Sequence, residues 1–300
     1  MLQYAVLSYL FRKDIVGKIM QQPQYKSNFE LKLMAKIQTS HRFGILLGTI
    51  ILKFIITSLV ADLVTSLVPA QSAAGSVISY ILLFAVNVAA SLLSVGAAFV
   101  FLKTACNMKS SLEDLFCGFR KNTLKILQVG AVIALIESIC VIPFNIASMQ
   151  YTNVIDSIPF ISENSISGFS PLLYGNLMNN EEFLEAYSVL YSATMKLCVI
   201  MVVCSAISLI LTLPFFPAFF MILDFPDWNV STILRRSFEV MHGNKLRLFL
   251  LYVSFVPSFL FSAFACCIPL IWVLPYMNMA TANFYLDLMA VRNKSINTPS

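Results

Sequence analysis

Charge is scarce in this chain. Of its 300 residues, 12% are Asp, Glu, Lys or Arg and 58% are hydrophobic. Soluble domains carry about 25% charged residues. A chain this poor in charge cannot cover itself with polar surface in water. That excludes an ordinary soluble enzyme, a disordered chain and a nucleic-acid-binding domain. Histidine is scarcer still: only His41 and His242 occur, each at the edge of an apolar stretch. A bilayer-embedded Ser–His dyad needs a histidine at depth, and neither position offers one. The sequence has no His-Glu-x-x-His signature, no P-loop, no dinucleotide glycine pattern and no Cys-x-x-Cys spacing. Its cysteines (Cys106, Cys117, Cys140, Cys198, Cys204, Cys266 and Cys267) lie in or beside apolar stretches. They read as small buried hydrophobes. Cys266 and Cys267 are adjacent, the wrong spacing for chelation. No catalytic residue, cofactor or metal site is expected, and the chain reads as a non-enzyme.

Long apolar runs are what the chain does have, and the mean hydropathy is +0.80. A spanning helix needs about 20 apolar residues. Runs of that kind fall near 43–68, 77–102, 124–148, 192–223, 248–264 and 269–288. The fourth is interrupted by Pro214 and Pro217, and Pro269 marks a tight turn before the last. The expected fold class is all-α: a polytopic integral membrane helical bundle of about six transmembrane helices, with short cytoplasmic interfacial helices. One integral membrane domain is expected over residues 1–300. The stretch Met1–Leu10 has no basic n-region. It reads as a short interfacial or disordered tail, not a cleaved signal peptide.

Orientation follows from the basic residues. The N-terminal segment 1–42 holds Arg12, Lys13, Lys18, Lys26, Lys32, Lys36 and Arg42. The connection after the second run holds Lys103, Lys109, Arg120, Lys121 and Lys125. The connection after the fourth holds Arg235, Arg236, Lys245 and Arg247, and the C-terminus holds Arg292 and Lys294. The loop 150–191 carries only acids: Asp156, Glu163, Glu181, Glu182 and Glu185. Both termini are therefore expected on the cytoplasmic side and the acidic loop outside.

Three segments share a plan of polar cap, amphipathic stretch with basic residues, and spanning run. They begin at Asn28, Ser110 and Asn229. Ser110 and Glu113 have capping-box spacing. Val230, Ile233, Leu234, Phe238 and Met241 recur at helical spacing. Such helices suit the cytoplasmic interface, with Lys and Arg near headgroups. Residue identities barely repeat, so the repetition is one of pattern.

Particular motifs carry a family resemblance. Leu223-Asp224-Phe225-Pro226 leads through Ser237 to Met241-His242-Gly243-Asn244-Lys245. Ser254-Phe255, then Pro275-Tyr276 and Phe284-Tyr285, follow. This pattern resembles the bacterial integral membrane family named domain of unknown function 975. The likeness covers 214–288 well and extends loosely to 31–48 and 114–119. It marks Pro226, Ser237, Met241, Gly243, Lys245, Pro275, Tyr276, Phe284 and Tyr285 as family-motif positions. It implies a fold and a place in the bacterial cytoplasmic membrane, but no reaction. Physically, Gly243 suits a left-handed cap ending the third amphipathic helix. Lys245 and Arg247 suit headgroup phosphates, and Pro275 suits a kink.

Intramembrane polar residues are the remaining pointers to function. Lys53 and Asp62 lie in the first run, Asn87 in the second, Glu137 in the third and Asn283 in the sixth. Lys53 and Glu137 sit at comparable depth and are expected to pair. Lys196 and Asp287, near run ends, are expected to snorkel. The reading is a non-enzymatic transport, export or membrane-assembly component, with a structural or lipid-organising role as the alternative. Membrane lipids are the expected partners, together with a partner membrane protein or a second copy of the chain. Nucleic acid is not expected.

Overall fold

The computed structural model describes residues 25–67, 73–156, 181–265 and 267–297, which contain helices and turns and no strand. The expected N-terminal tail, residues 157–180 of the expected acidic loop 150–191, and Cys266 lie outside the described residues; the ends of that loop, 150–156 and 181–191, are helical. Helix α1 is Asn28–His41, α2 is Phe43–Ser66 and α3 is Ala73–Ala105. A 3-10 turn, Leu112–Phe116, leads into α4 (Cys117–Arg120) and α5 (Thr123–Asp156). Then come α6 (Glu181–Thr212), a second 3-10 turn (Leu213–Phe215) and α7 (Ala218–Asp224). The chain ends with α8 (Val230–Met241), α9 (Lys245–Val253), α10 (Val256–Phe264) and α11 (Leu270–Asn297). Five helical segments among the described residues are long and apolar enough to cross a membrane: Phe43–Ser66, Val77–Ala105, Thr123–Ile155, Tyr187–Asp224 and Lys245–Phe264. The chain is a helical membrane bundle.

The expected sixth run is a helix, α11, but it is not among those five. Asn278, Asn283, Asp287 and Arg292 lower its hydropathy. It tolerates them because Met279–Met289 is buried by neighbouring helices, where protein partners replace lipid.

The chain forms two compact units. The first takes Met1–Ala134 and Leu213–Ser300, the second Leu135–Thr212. In the first, α11 packs on α1, α2 and α3. Leu31, Leu46, Leu102, Ile126, Met221, Ile233 and Leu248 join Phe284 and Tyr285 in its core. The second unit holds the rest of α5 and all of α6, where Thr194 Oγ1 donates to the Tyr151 hydroxyl at 3.3 Å. Its large apolar side chains, including Ile139, Ile142, Val199 and Val202, are exposed. That surface suits hydrocarbon and not water.

Each amphipathic segment becomes a helix or helical turn; the third has its N-cap at Asn229 as expected, and the first two have caps shifted from their expected places. On α1 the cap is Ser27, not Asn28: the Ser27 amide donates to Glu30 at 2.8 Å and the Glu30 amide to Ser27 Oγ at 3.2 Å. In the second segment the box moves by one residue. The Ser111 amide donates to Asp114 at 2.9 Å, and Ser110 bonds Thr104 instead. Lys103, at the end of α3, draws Asp114 into an ion pair of 2.7 Å, which sets that register.

This second segment lies directly on α3. A Cβ on Gly96 would sit 1.7 Å from the Leu115 carbonyl oxygen, and one on Gly118 would sit 2.4 Å from that of Leu92. Backbone touches backbone, which glycine alone permits.

On α8 the inward residues are Ile233, Ser237, Val240 and Met241. Phe238, grouped by spacing with that face, is exposed, and Lys245 Nζ lies 4.2 Å above its ring. Gly243 does take positive φ, at 83°, but in a β-turn. His242 has φ −62° and ψ 123°, and the Asn244 amide donates to Met241 C=O at 3.0 Å. This is a type II turn, which demands positive φ at its third residue. Nothing lies within 4 Å of a Cβ built there, so substitution carries a conformational cost alone. Gly243→Val is expected to lose about 1–2 kcal/mol and Gly243→Asn clearly less. Thermal unfolding in detergent checks this, and an unchanged midpoint for valine would refute the turn.

Two apolar segments are broken by proline, each in the same way. In the 3-10 turn Leu213–Phe215, the Pro214 carbonyl looks to the amide of residue 217, and Pro217 has none. Ser237 Oγ of α8 donates to that carbonyl at 2.8 Å instead. Between α9 and α10, the Ser254 carbonyl faces Pro257 at i+3, while the Ser258 amide goes to Phe255 C=O. Lys32 Nζ of α1 donates to Ser254 C=O at 3.2 Å. Pro275 is buried inside α11, which is continuous through it, whereas the fifth segment is divided into α9 and α10.

Candidate functional site

The buried polar groups of the first unit converge on α11 in three places. The largest cluster joins α9, α11 and the extended stretch before α1. Arg247, in the first turn of α9, donates through Nη2 to Asp287 Oδ2 at 2.5 Å, and both side chains are largely buried. The same Nη2 donates to Lys26 C=O at 2.7 Å, and the Lys26 amide donates to Asp287 at 3.2 Å. Both polar atoms of one peptide residue are thus held by one ion pair. The guanidinium lies between two rings, 4.9 Å from the Tyr25 centroid and 4.7 Å from that of Phe284. Planar, delocalised charge suits that sandwich. Asn244 donates to the Tyr25 hydroxyl at 3.1 Å, and Asn28 donates to Arg247 C=O at 3.2 Å. Arg247 Nη1 and Asn28 Oδ1 are buried and have no hydrogen-bond partner among the described residues.

The second place is the acid–phenol pair of Asp224 and Tyr285. The Tyr285 hydroxyl donates to Asp224 Oδ2 at 2.6 Å, and its ring stacks on Phe220 at 4.8 Å. Asp224 Oδ1 is buried with no partner among the described residues. In the third place Asn283 donates to Gln38 Oε1 at 2.7 Å, and Gln38 donates to Ala105 C=O at 3.1 Å. Ala105 ends α3, where the helix leaves carbonyls unmet.

The thiols nearby are held protonated. Burial, with the Asp224 charge adding to it, pushes the Cys106 thiol up to about 12. Burial and Asp114 push Cys117 up to about 11. The six described cysteines are free thiols, although Cys198 and Cys267 are exposed and not buried as expected.

A family model described as "Protein of unknown function (DUF975)" matches residues 20–292. The chain belongs to this family. No curated protein and no solved structure matches it. The DUF975 match runs from before Lys26 to beyond Asp287, so it takes in all three polar clusters.

Several motif positions of the DUF975 chain are structural pins. Met241 is fully buried, and Ser237 holds the Pro214 carbonyl. Exposed Pro226 accepts from Lys125 Nζ at 2.5 Å through its carbonyl. Tyr276 meets the Phe255 ring edge-on at 5.1 Å, and Phe284 supports Arg247. Of the intramembrane polar residues, the structure brings Asn283 into the α11 network. Lys53 is half-buried on α2, and Asp62 and Asn87 are exposed on α2 and α3. Glu137 is exposed and belongs to the second unit.

Two assignments are corrected. Asp287 does not snorkel, and Arg247 is no headgroup anchor, because each is the other's buried partner. Their spacing of 40 residues hides the pairing from any local pattern. Asp224, Gln38 and Lys32 were missed for the same reason.

Proposed function

We propose that this DUF975 protein is a multi-pass protein of the bacterial cytoplasmic membrane that acts without chemistry, as a transport, export or membrane-assembly component. The observation that carries the reading is the pair of broken apolar segments. Broken helices leave carbonyls at membrane depth, and such backbone is tolerated where protein or a water-filled cavity meets it. Here each orphan carbonyl meets one side chain from an amphipathic helix, Ser237 or Lys32. Movement of α1 or α8 would uncover it. The half-buried Lys32 ammonium, whose pKa burial lowers, is well suited to such a reversible contact.

A second reading, a lipid-organising role, is favoured by α1 itself. Its inner stripe Leu31, Ala35 and Thr39 is buried, yet its outer stripe Phe29, Leu33 and Ile37 is exposed beside Lys36. Lipid is the partner such a stripe suits.

Single cysteines at Phe215 and Ser254, in an otherwise cysteine-free chain, separate the two. Labelling by a charged, membrane-impermeant thiol reagent supports a wetted path at the breaks. No labelling at either position favours the lipid-organising role. Topology has its own test. With both termini cytoplasmic and the acidic loop outside, an alkaline-phosphatase fusion at Asn179 is expected to be active and one at Ser300 inactive. The reverse pattern would overturn the orientation.

A further inference from the structure

The cluster at Arg247 and Asp287 is built to read backbone. Lys26 is held through its amide and its carbonyl, and the groups holding them come from two helices far away in sequence. Ser27, which follows, has φ −66° and ψ 154°, so the chain passes the pair in extended form. A carboxylate that accepts from N–H beside a guanidinium that donates to C=O offers what a neighbouring β-strand offers, and such a pairing recognises any residue but proline. The fit of the resident segment is incomplete. Arg247 Nη1 and Asn28 Oδ1 stay buried without a partner among the described residues. The Tyr25 ring, which closes over the guanidinium, remains 40% exposed. The strap is held by the two Lys26 backbone bonds and by side-chain bonds of Tyr25, Lys26 and Asn28, and a donor stays unmet beneath it.

We propose that Arg247 and Asp287 form a receptor for extended polypeptide backbone, and that Tyr25–Ser27 is its resident, releasable ligand. Residues 25–27 are then a strap that leaves its seat without unfolding the bundle. The vacated pair takes the backbone of another extended polypeptide. A carbonyl or carboxylate of that chain meets Arg247 Nη1. This goes beyond the transport or assembly role and does not depend on it.

Hydrogen exchange on the full-length protein in detergent tests the idea, with Lys26→Pro compared against Lys26→Gln. Proline removes the amide that Asp287 accepts, whereas glutamine keeps the backbone and changes the side chain. In Lys26→Pro, amides of residues 25–30 are expected to exchange about tenfold faster or more, the factor that a bond to a carboxylate supports. Amides of α9 and α11 should stay at wild-type rates. Lys26→Gln, which loses the Nζ contact with Met34 but keeps both backbone bonds, should loosen residues 25–30 far less than proline does. In a synthetic peptide covering residues 22–30, added to Lys26→Pro, the amide of its Lys26 should become protected from exchange. Four results would overturn the proposal: loosening by Lys26→Gln equal to that by proline, loosening of α9 and α11 together with the strap, unchanged exchange at 25–30 in Lys26→Pro, or no protection of the peptide amide. Loosening of α9 and α11 would make residues 25–27 part of the core instead of a ligand.

Discussion

Gly96→Val is expected to remove folded protein from the membrane. A Cβ at this position would stand 1.7 Å from the Leu115 oxygen, 2.4 Å from its carbonyl carbon and 2.9 Å from its Cα. All three atoms are backbone, so no side chain can swing away. Relief needs α3 and the Leu112–Phe116 turn to move apart. That in turn disturbs the reciprocal contact, in which Gly118 faces the Leu92 carbonyl. Overpacking a core costs about 1–3 kcal/mol and occasionally more. Two coupled backbone contacts place this site at the upper end. Stability of the whole fold is only about 5–15 kcal/mol. Gly96→Ala is expected to fail nearly as badly, because the first carbon already clashes. Gly44 is the control: nothing lies within 4 Å of a Cβ there, and Gly44→Ala should be neutral or mildly stabilising. Fluorescence-detected size-exclusion chromatography of the fused protein reads the yield. A monodisperse Gly96→Val peak at wild-type height would disprove the close approach.

The ion pair at α11 sets the second large effect. Arg247→Met leaves Asp287 buried without its cation and removes the donor to the Lys26 carbonyl, and Asp287→Leu leaves a buried guanidinium. Removing one partner of a buried pair costs about 3–5 kcal/mol, while replacing both is often tolerated. Each single change should therefore lower the unfolding midpoint sharply. The double change Arg247→Met with Asp287→Leu should recover much of the loss. Recovery is partial because each single change removes one backbone partner of Lys26 and the double change removes both. If the losses simply add, the two residues are not energetically coupled and the pairing is wrong. Arg247→Lys should rescue little, since an ammonium cannot lie flat between the Tyr25 and Phe284 rings while bonding both acceptors.

The legible part of this protein was set by solvent and period. Scarcity of charge and the length of the apolar runs fixed an all-α membrane bundle, because a chain without polar surface folds only where none is needed. Pro214 and Pro217 marked a real break, and Gly243 a real positive φ, because those residues restrict or free the backbone wherever they stand. Even so, the type of turn at Gly243 depended on His242 and Asn244, and Pro275 did not break α11. The caps at Ser27 and Ser111 slid by one residue, since Glu30 and Asp114 chose partners by geometry and Lys103 competed for one of them.

Pairing across long stretches of chain was the part that only tertiary structure decided. Intramembrane depth drew attention to Lys53, Asp62, Asn87 and Glu137, yet the converging polar groups are Arg247, Asp287, Asp224, Tyr285, Gln38 and Asn283. Depth along a helix follows from sequence position, but azimuth and neighbour do not. A helix as polar as α11 looked like a poor membrane span because hydropathy assumes lipid on every side. The fold surrounds Met279–Met289 of α11 with protein, and that enclosure makes its polar groups partners of other helices instead of liabilities. Composition determined where this protein lives, and packing around one helix determined what its polar residues hold.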